Sequence, residues 1–185
     1  MIALYVLLGL IVLTVIYGVS VYNKLVRLKT LMEEGWSAVE VFLKKRYDLI
    51  GNLVETVKGY ALHEKETLEN VILARSQAMN AQNRAEKSEC EGFLAGQLGR
   101  LLAVSENYPQ LRANENFMHL QQELSSLESE IETARRYYNG TVRGNNIAIL
   151  SFPTNIIAGM FNFEEGVFFQ IEKNEMEVPK VSFTK

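Results

Sequence analysis

The chain has 185 residues, 48% of them apolar, one cysteine and a formal net charge of −3. With both charge signs interspersed, that balance provides no bulk attraction to nucleic acid, and Cys90 alone excludes an internal disulfide framework and a cysteine-based zinc site. Pro109, Pro153 and Pro179 all lie outside the long periodic stretches. That favours long helices, because an internal proline costs a helix about 3 kcal/mol.

Residues 2–22, IALYVLLGLIVLTVIYGVSVY, carry no charge. At 1.5 Å per residue they reach about 32 Å as a helix, which matches the ~30 Å hydrocarbon core of a bilayer. A cleaved signal peptide would place basic residues before the apolar run and small residues at its end. No Lys or Arg precedes this run and it closes on the bulky Tyr22, so we read residues 1–22 as a retained transmembrane anchor. Lys24, Arg27 and Lys29 follow at once. The positive-inside rule then sets the topology: single-pass in the cytoplasmic (inner) membrane, N-terminus out, the rest cytoplasmic. Thr14-x-x-x-Gly18 is a small-xxx-small pair, which we read as ordinary small residues of a membrane helix.

From Met32 the apolar positions run Met32, Trp36, Val39, Leu43, Tyr47, Ile50, Val54, Val57 and Ala61, one face of an amphipathic helix. Val41, Phe42, Leu49 and Leu53 widen the stripe, so this helix is expected to touch two neighbours. Lys44, Lys45, Arg46, Asp48, Glu55 and Lys58 read as its solvent face. No breaker parts it from the anchor, which leaves open a single helix through both.

A second helical region covers about 64–106, with apolar groups at Leu68, Val71, Ile72, Ala78 and at Phe93, Leu94, Leu98, Leu101, Leu102. Between them NAQNRAEKSE is polar but holds neither Gly nor Pro, and we expect a continuous or weakly interrupted helix. Asn107-Tyr108-Pro109 ends it, and Asn114 is placed to cap a third helix. That helix carries Phe117, Leu120, Leu124, Leu127, Ile131, Ala134 and Tyr138 at a heptad period, the pattern of close helix packing. Pro153 stops it.

The fold class expected is all-α: a transmembrane helix, an antiparallel bundle of three long helices within residues 23–163, a short C-terminal helix, and an acidic extended tail over 164–185. Three passes would carry the apolar stretch NIIAGMFNF, residues 155–163, to the end far from the membrane. It is too short to span a bilayer. Of an interfacial insert, a partner site, or packing within the chain or between subunits, that placement favours packing.

The stretches YNKLVRL (22–28), WSAVEVFLKKRYDLIGNLVETVKGYALHE (36–64), TLENVILARSQA (67–78), LLAVSENYPQLRANENFMHLQQEL (101–124), ESEIETARRYYNGTV (128–142) and SFPTNIIAGMF (151–161) together resemble the LemA family of bacterial membrane proteins. The resemblance implies one N-terminal membrane helix followed by an antiparallel helical bundle, cytoplasmic in several members. It carries no established catalytic activity to transfer, and it implies association with membrane metalloproteases or with envelope and signalling systems in some members. Where the family usually has proline in RYDLIPNLVE this chain has Gly51, which keeps its N–H and makes a kink there less expected.

Chemistry-bearing clusters are thin. His63-Glu64-Lys65-Glu66 lacks the second histidine of a zinc helix, and Glu115 with His119 supplies two ligands where three or four are needed. Arg135-Arg136-Tyr137-Tyr138 mixes bases with aromatics, but Tyr138 belongs to the apolar stripe, so nucleic acid is not an expected partner. No phosphate loop, nucleophile elbow or paired-carboxylate motif occurs, and no catalytic residue, cofactor or metal is expected.

The candidate packing and self-association residues are Trp36, Val39, Leu43, Tyr47 and Ile50 on the first helix, Phe117, Leu124, Ile131 and Tyr138 on the third, and Ile156, Ile157, Met160 and Phe161 after Pro153. The function expected is a non-enzymatic, membrane-anchored scaffold that forms homo-oligomers and organises or remodels the bilayer. The alternative is an adaptor for a membrane metalloprotease or a signalling system.

Overall fold

A computed structural model describes residues 1–61 and 63–169. Among these residues the chain is all helix and loop: α1 (Ile2–Lys58), α2 (Lys65–Asn80), α3 (Arg84–Ser105), α4 (Pro109–Arg112), α5 (Glu115–Leu150) and α6 (Thr154–Met160). Residues 170–185 of the acidic tail lie outside the described residues.

The anchor and the first amphipathic stripe are one helix. α1 runs for 57 residues, about 86 Å. Its N-terminal part has the length and composition of a membrane span, and none of that stretch is buried in protein. Gly51 lies inside the helix without interrupting it.

The second long helix expected from sequence is two helices. Ala81 leaves the helical region with ψ 130°. Asn83 is extended, and its side chain accepts the N–H of Glu86 at 2.9 Å. Glu86 Oε2 in return accepts the N–H of Gln82 at 2.8 Å. This near-reciprocal cap satisfies donors that a new helix start leaves without partners. α2 and α3 then fold back on one another. The break changes the parity of the chain. An extra reversal precedes α5, so α5 returns toward the anchor, and α6 lies beside the end of the span rather than far from it.

The molecule comprises two compact units, and α1 and α5 contribute to both. The first joins Met1–Val39 with Ala134–Phe168. Here α1 and α5 run antiparallel. Trp36 meets Tyr138 edge-on at 5.2 Å, Leu28 lies against Gly144, and Val21 and Leu25 cluster with Ala148, Ile149 and Ala158. The helices approach closely at Gly35: a Cβ there would stand 3.3 Å from Tyr138 Cα. The segment after α6 is strapped along α5. Asn146 Oδ1 accepts the N–H of Gly166 at 2.8 Å, its Nδ2 donates to the Gly166 carbonyl at 2.9 Å, and Tyr138 Oη donates to the Val167 carbonyl at 2.7 Å.

The second unit is built on Glu40–Thr133. Its core takes Leu43, Ile50, Leu53 and Val57 from α1, Val71 and Ala74 from α2, Leu94 and Leu101 from α3, Leu111 from α4, and Phe117, Leu124 and Ile131 from α5, all buried. Each large apolar side chain so placed contributes about 1.5–3 kcal/mol. Asn114 caps α5 as expected, accepting the N–H of Phe117 at 3.0 Å, and its amide donates to Tyr60 Oη at 3.0 Å. Tyr108 Oη donates to Glu64 Oε1 at 3.0 Å, which ties the α1–α2 connection to α4.

Candidate functional site

Two regions gather chemistry that the core does not explain. The first is a polar knot inside the second unit. Arg46, which periodicity assigns to the solvent face of α1, is 2% exposed. The α2–α3 hairpin supplies a neighbour that covers this face and brings a carboxylate with it. Arg46 Nη1 donates to Glu91 Oε2 at 3.0 Å, and both side chains are buried. Arg46 Nε stands 2.9 Å from Oε1 of the half-exposed Glu128, an ion pair without the alignment of a hydrogen bond. Tyr47 Oη donates to Glu91 Oε1. The Tyr47 carbonyl accepts from Arg75 Nε at 2.7 Å, and Lys87, bonded to the Ala78 carbonyl at 2.8 Å, lies over the Tyr47 ring.

Burial, and then the charge and hydrogen bond of Glu91, push the Tyr47 phenol far above the ordinary tyrosine range. It is a fixed donor and not a base. Burial, followed by the charges of Glu86, Glu89 and Glu91, also raises the thiol of Cys90, so little of it is the nucleophilic thiolate near neutrality. Among the described residues the two buried charges, Arg46 and Glu91, meet one another, and the arrangement orients α1, α3 and α5.

The concavities near this knot are open. A groove of about 420 Å³ is lined by Lys45, Asp48, Asn52, Glu123 and Glu130, and a hollow of about 650 Å³ by Ser76, Asn80, Glu86, Cys90 and Phe93. His119 Nδ1 pairs with Glu123 at 3.7 Å on the surface. Among the described residues no three His, Cys, Asp or Glu side chains gather where a metal ion could be held.

The second region is the anchor-proximal end of the first unit. Ile157 packs beside Gly18, its Cδ1 3.9 Å from where a Cβ would stand. A methyl group at Gly18 would meet Ile157 at ordinary van der Waals distance, so α6 lies beside the Thr14-x-x-x-Gly18 pair without requiring its glycine. Phe161 and Phe163 lie 4.8 and 5.8 Å from the Tyr22 ring. Lys24, Arg27 and Lys29 are all exposed just beyond.

The candidate packing residues divide cleanly. Trp36, Val39, Leu43, Tyr47, Ile50, Phe117, Leu124, Ile131 and Tyr138 are buried within the single chain. Ile157 is half-buried against α1, whereas Ile156, Met160 and Phe161 are exposed. Val41, expected to widen the buried stripe, is 56% exposed. Sequence reasoning missed Glu91, Asn83 and the strap held by Asn146. The Asn-x-x-Glu spacing at 83–86 was a signal for the cap, but nothing local distinguishes Glu91 from Glu86 and Glu89.

The chain is 25% identical over 187 aligned residues to the magnetosome proteins MamQ 1 and MamQ 2 of Paramagnetospirillum magneticum, covering 87% of this chain and 68% of theirs. It is 26% identical over 154 residues to the protein LemA of Metamycoplasma hominis, covering 83% of this chain and 70% of that one. The profile of the LemA family matches residues 35–183, from the middle of α1 through the bundle and beyond α6. The chain belongs to the LemA family.

Proposed function

We propose that this membrane-associated chain is a non-catalytic helical scaffold that self-associates in the plane of the bilayer, with its N-terminus outside and the rest in the cytoplasm. The observation that carries the reading is where apolar surface remains. The amphipathic stripes are used in the chain's own core and the buried charges neutralise one another. Beyond scattered side chains such as Val41 and Met118, what stays apolar and open is the span, the end beside it, and a set of side chains on the α2–α3 hairpin, Ile72, Leu73, Met79 and Phe93. These are surfaces for lipid and protein, not for turnover of a small molecule. The exposed Lys24, Arg27 and Lys29 support the orientation.

The test is cross-linking in the membrane at native expression, followed by extraction into polymer-bounded lipid discs and mass measurement. Homogeneous multimers are expected; discs that hold only monomers refute self-association. A foreign protein at fixed stoichiometry would transfer the chain to the adaptor reading, for which the Ile72–Leu73 and Phe93 surface is the docking candidate. Orientation is read from Cys90 with a membrane-impermeant maleimide. No labelling in intact cells and labelling after lysis are expected, and labelling from outside reverses the topology.

A further inference from the structure

We propose that Phe152 and the outer face of α6 form a lipid-docking surface, seated in the interfacial layer of the same bilayer that α1 crosses. The proposal rests on the reading of residues 2–22 as a membrane span. Its first support is level. Ile157 packs on the Val21–Leu25 cluster beside Gly18, Ala158 is buried in that cluster, and the Phe161 ring meets Tyr22 at a 60° tilt. Gly18 lies four residues, about 6 Å, inside the C-terminal end of the uncharged run. These contacts fix α6 beside the last turn of the span. Wherever residues 2–22 fill the hydrocarbon, α6 is held at its boundary.

The second support is direction. The side of α6 that faces α1 is covered, while the opposite side presents Ile156, 53% exposed, and Met160, 68% exposed, one helical turn apart. Phe152, 81% exposed, precedes them and extends the patch. Charge completes the case. No acidic or basic residue occurs between Arg143 and Glu164, and the exposed bases Lys24, Arg27 and Lys29 lie on α1 where anionic headgroups would meet them.

The depth is shallow for a physical reason. α6 is only seven residues long, with Thr154 and Asn155 at its start and Asn162 just past its end. Irregular backbone and amides of this kind are costly in the hydrocarbon centre but are solvated among headgroups. The surface therefore resembles an interfacial helix, whose apolar face sinks about 5–10 Å into the headgroup–acyl boundary. The patch is continuous with the span, and this continuity selects the bilayer as its occupant.

The experiment uses the full chain in vesicles of phosphatidylcholine with a minority of phosphatidylglycerol. Single-cysteine variants V12C, S126C, F152C and M160C in a C90S background carry a nitroxide label. Depth is read from collision with oxygen against collision with a water-soluble nickel chelate. Labels at 152 and 160 are expected to favour oxygen, shallower than the label at 12, while the label at 126 favours nickel. Lipid-like behaviour at 12 with 152 and 160 as open to nickel as 126 overturns the proposal and leaves the span intact. Labels at 152 and 160 that are closed to both relaxants and broadened by neighbouring spins assign the patch to a second copy of the chain, which also overturns it. A water-like label at 12 removes the span itself, and the proposal with it.

Discussion

Replacing Glu91 by alanine is the most informative perturbation of this bundle. Arg46 and Glu91 are both buried, and Tyr47 Oη depends on the same carboxylate. Removal of one partner of a buried pair costs about 3–5 kcal/mol, because the remaining charge has been taken out of water without compensation. Arg46 retains Glu128 at 2.9 Å, which places the cost at the low end, near 3 kcal/mol. The Tyr47 hydroxyl loses its acceptor, an additional cost of about 1 kcal/mol. For a chain of this size the sum corresponds to a fall of roughly 10 °C in Tm. Thermal melting of the full chain in lipid discs, followed by circular dichroism at the helix band, measures it. The triple variant R46M/Y47F/E91L removes the charges and the hydroxyl together and is expected within about 1 kcal/mol of the parent, since apolar replacement of a buried ion pair is often neutral or better. An E91A cost below about 1 kcal/mol, the level of an exposed pair, refutes the argument. So does a triple variant as unstable as E91A.

Other consequences are open to measurement. The folded chain keeps Tyr47 protonated to a higher pH than the unfolded chain does, so its contribution is complete below the ordinary tyrosine pKa of 10.0 and declines as pH rises above it. Y47F is expected to lower stability near neutrality but to lose less stability than the parent between about pH 10 and 11 in urea titrations; parallel curves would exclude this coupling. G51A is expected to stabilise by about 0.5–1 kcal/mol, because a Cβ at 51 meets only the Arg75 guanidinium at 3.6 Å while glycine weakens a helix interior. A lower urea midpoint for G51A would contradict that. N83A is expected to cost about 1 kcal/mol through loss of the α3 cap, with faster amide exchange confined to the first turn of α3.

Much of this architecture was legible in the residues, and the failures have a common source. The span, the cap at Asn114 and the buried face from Trp36 to Ile50 follow from local rules: an uncharged run of sufficient length, an amide before a helix, a 3.6-residue period. The break at 81–83 did not, because no Gly or Pro marks it. It is made by a side chain that bonds its own backbone, and a polar run reads alike as an exposed helix face or a capped start. Its consequences were larger than its size. One missed reversal sent α6 to the wrong end of the chain and left Arg46 without the neighbour that buries it. Arg46 and Glu91 are 45 residues apart, and their pairing depends on how α3 packs on α1, which no local period encodes.

The unbroken course of α1 makes bilayer thickness a mechanical input to the protein. A span that is too long for its membrane tilts, at a cost of fractions of a kcal/mol per Å of mismatch. In a protein with a hinged stalk that tilt would end at the hinge. Here the helix that crosses the lipid also carries Leu25, Met32 and Trp36, each buried in the first unit. A change of angle in a thinner or thicker membrane therefore bears directly on the contact between Trp36 and Tyr138 and on the close approach at Gly35.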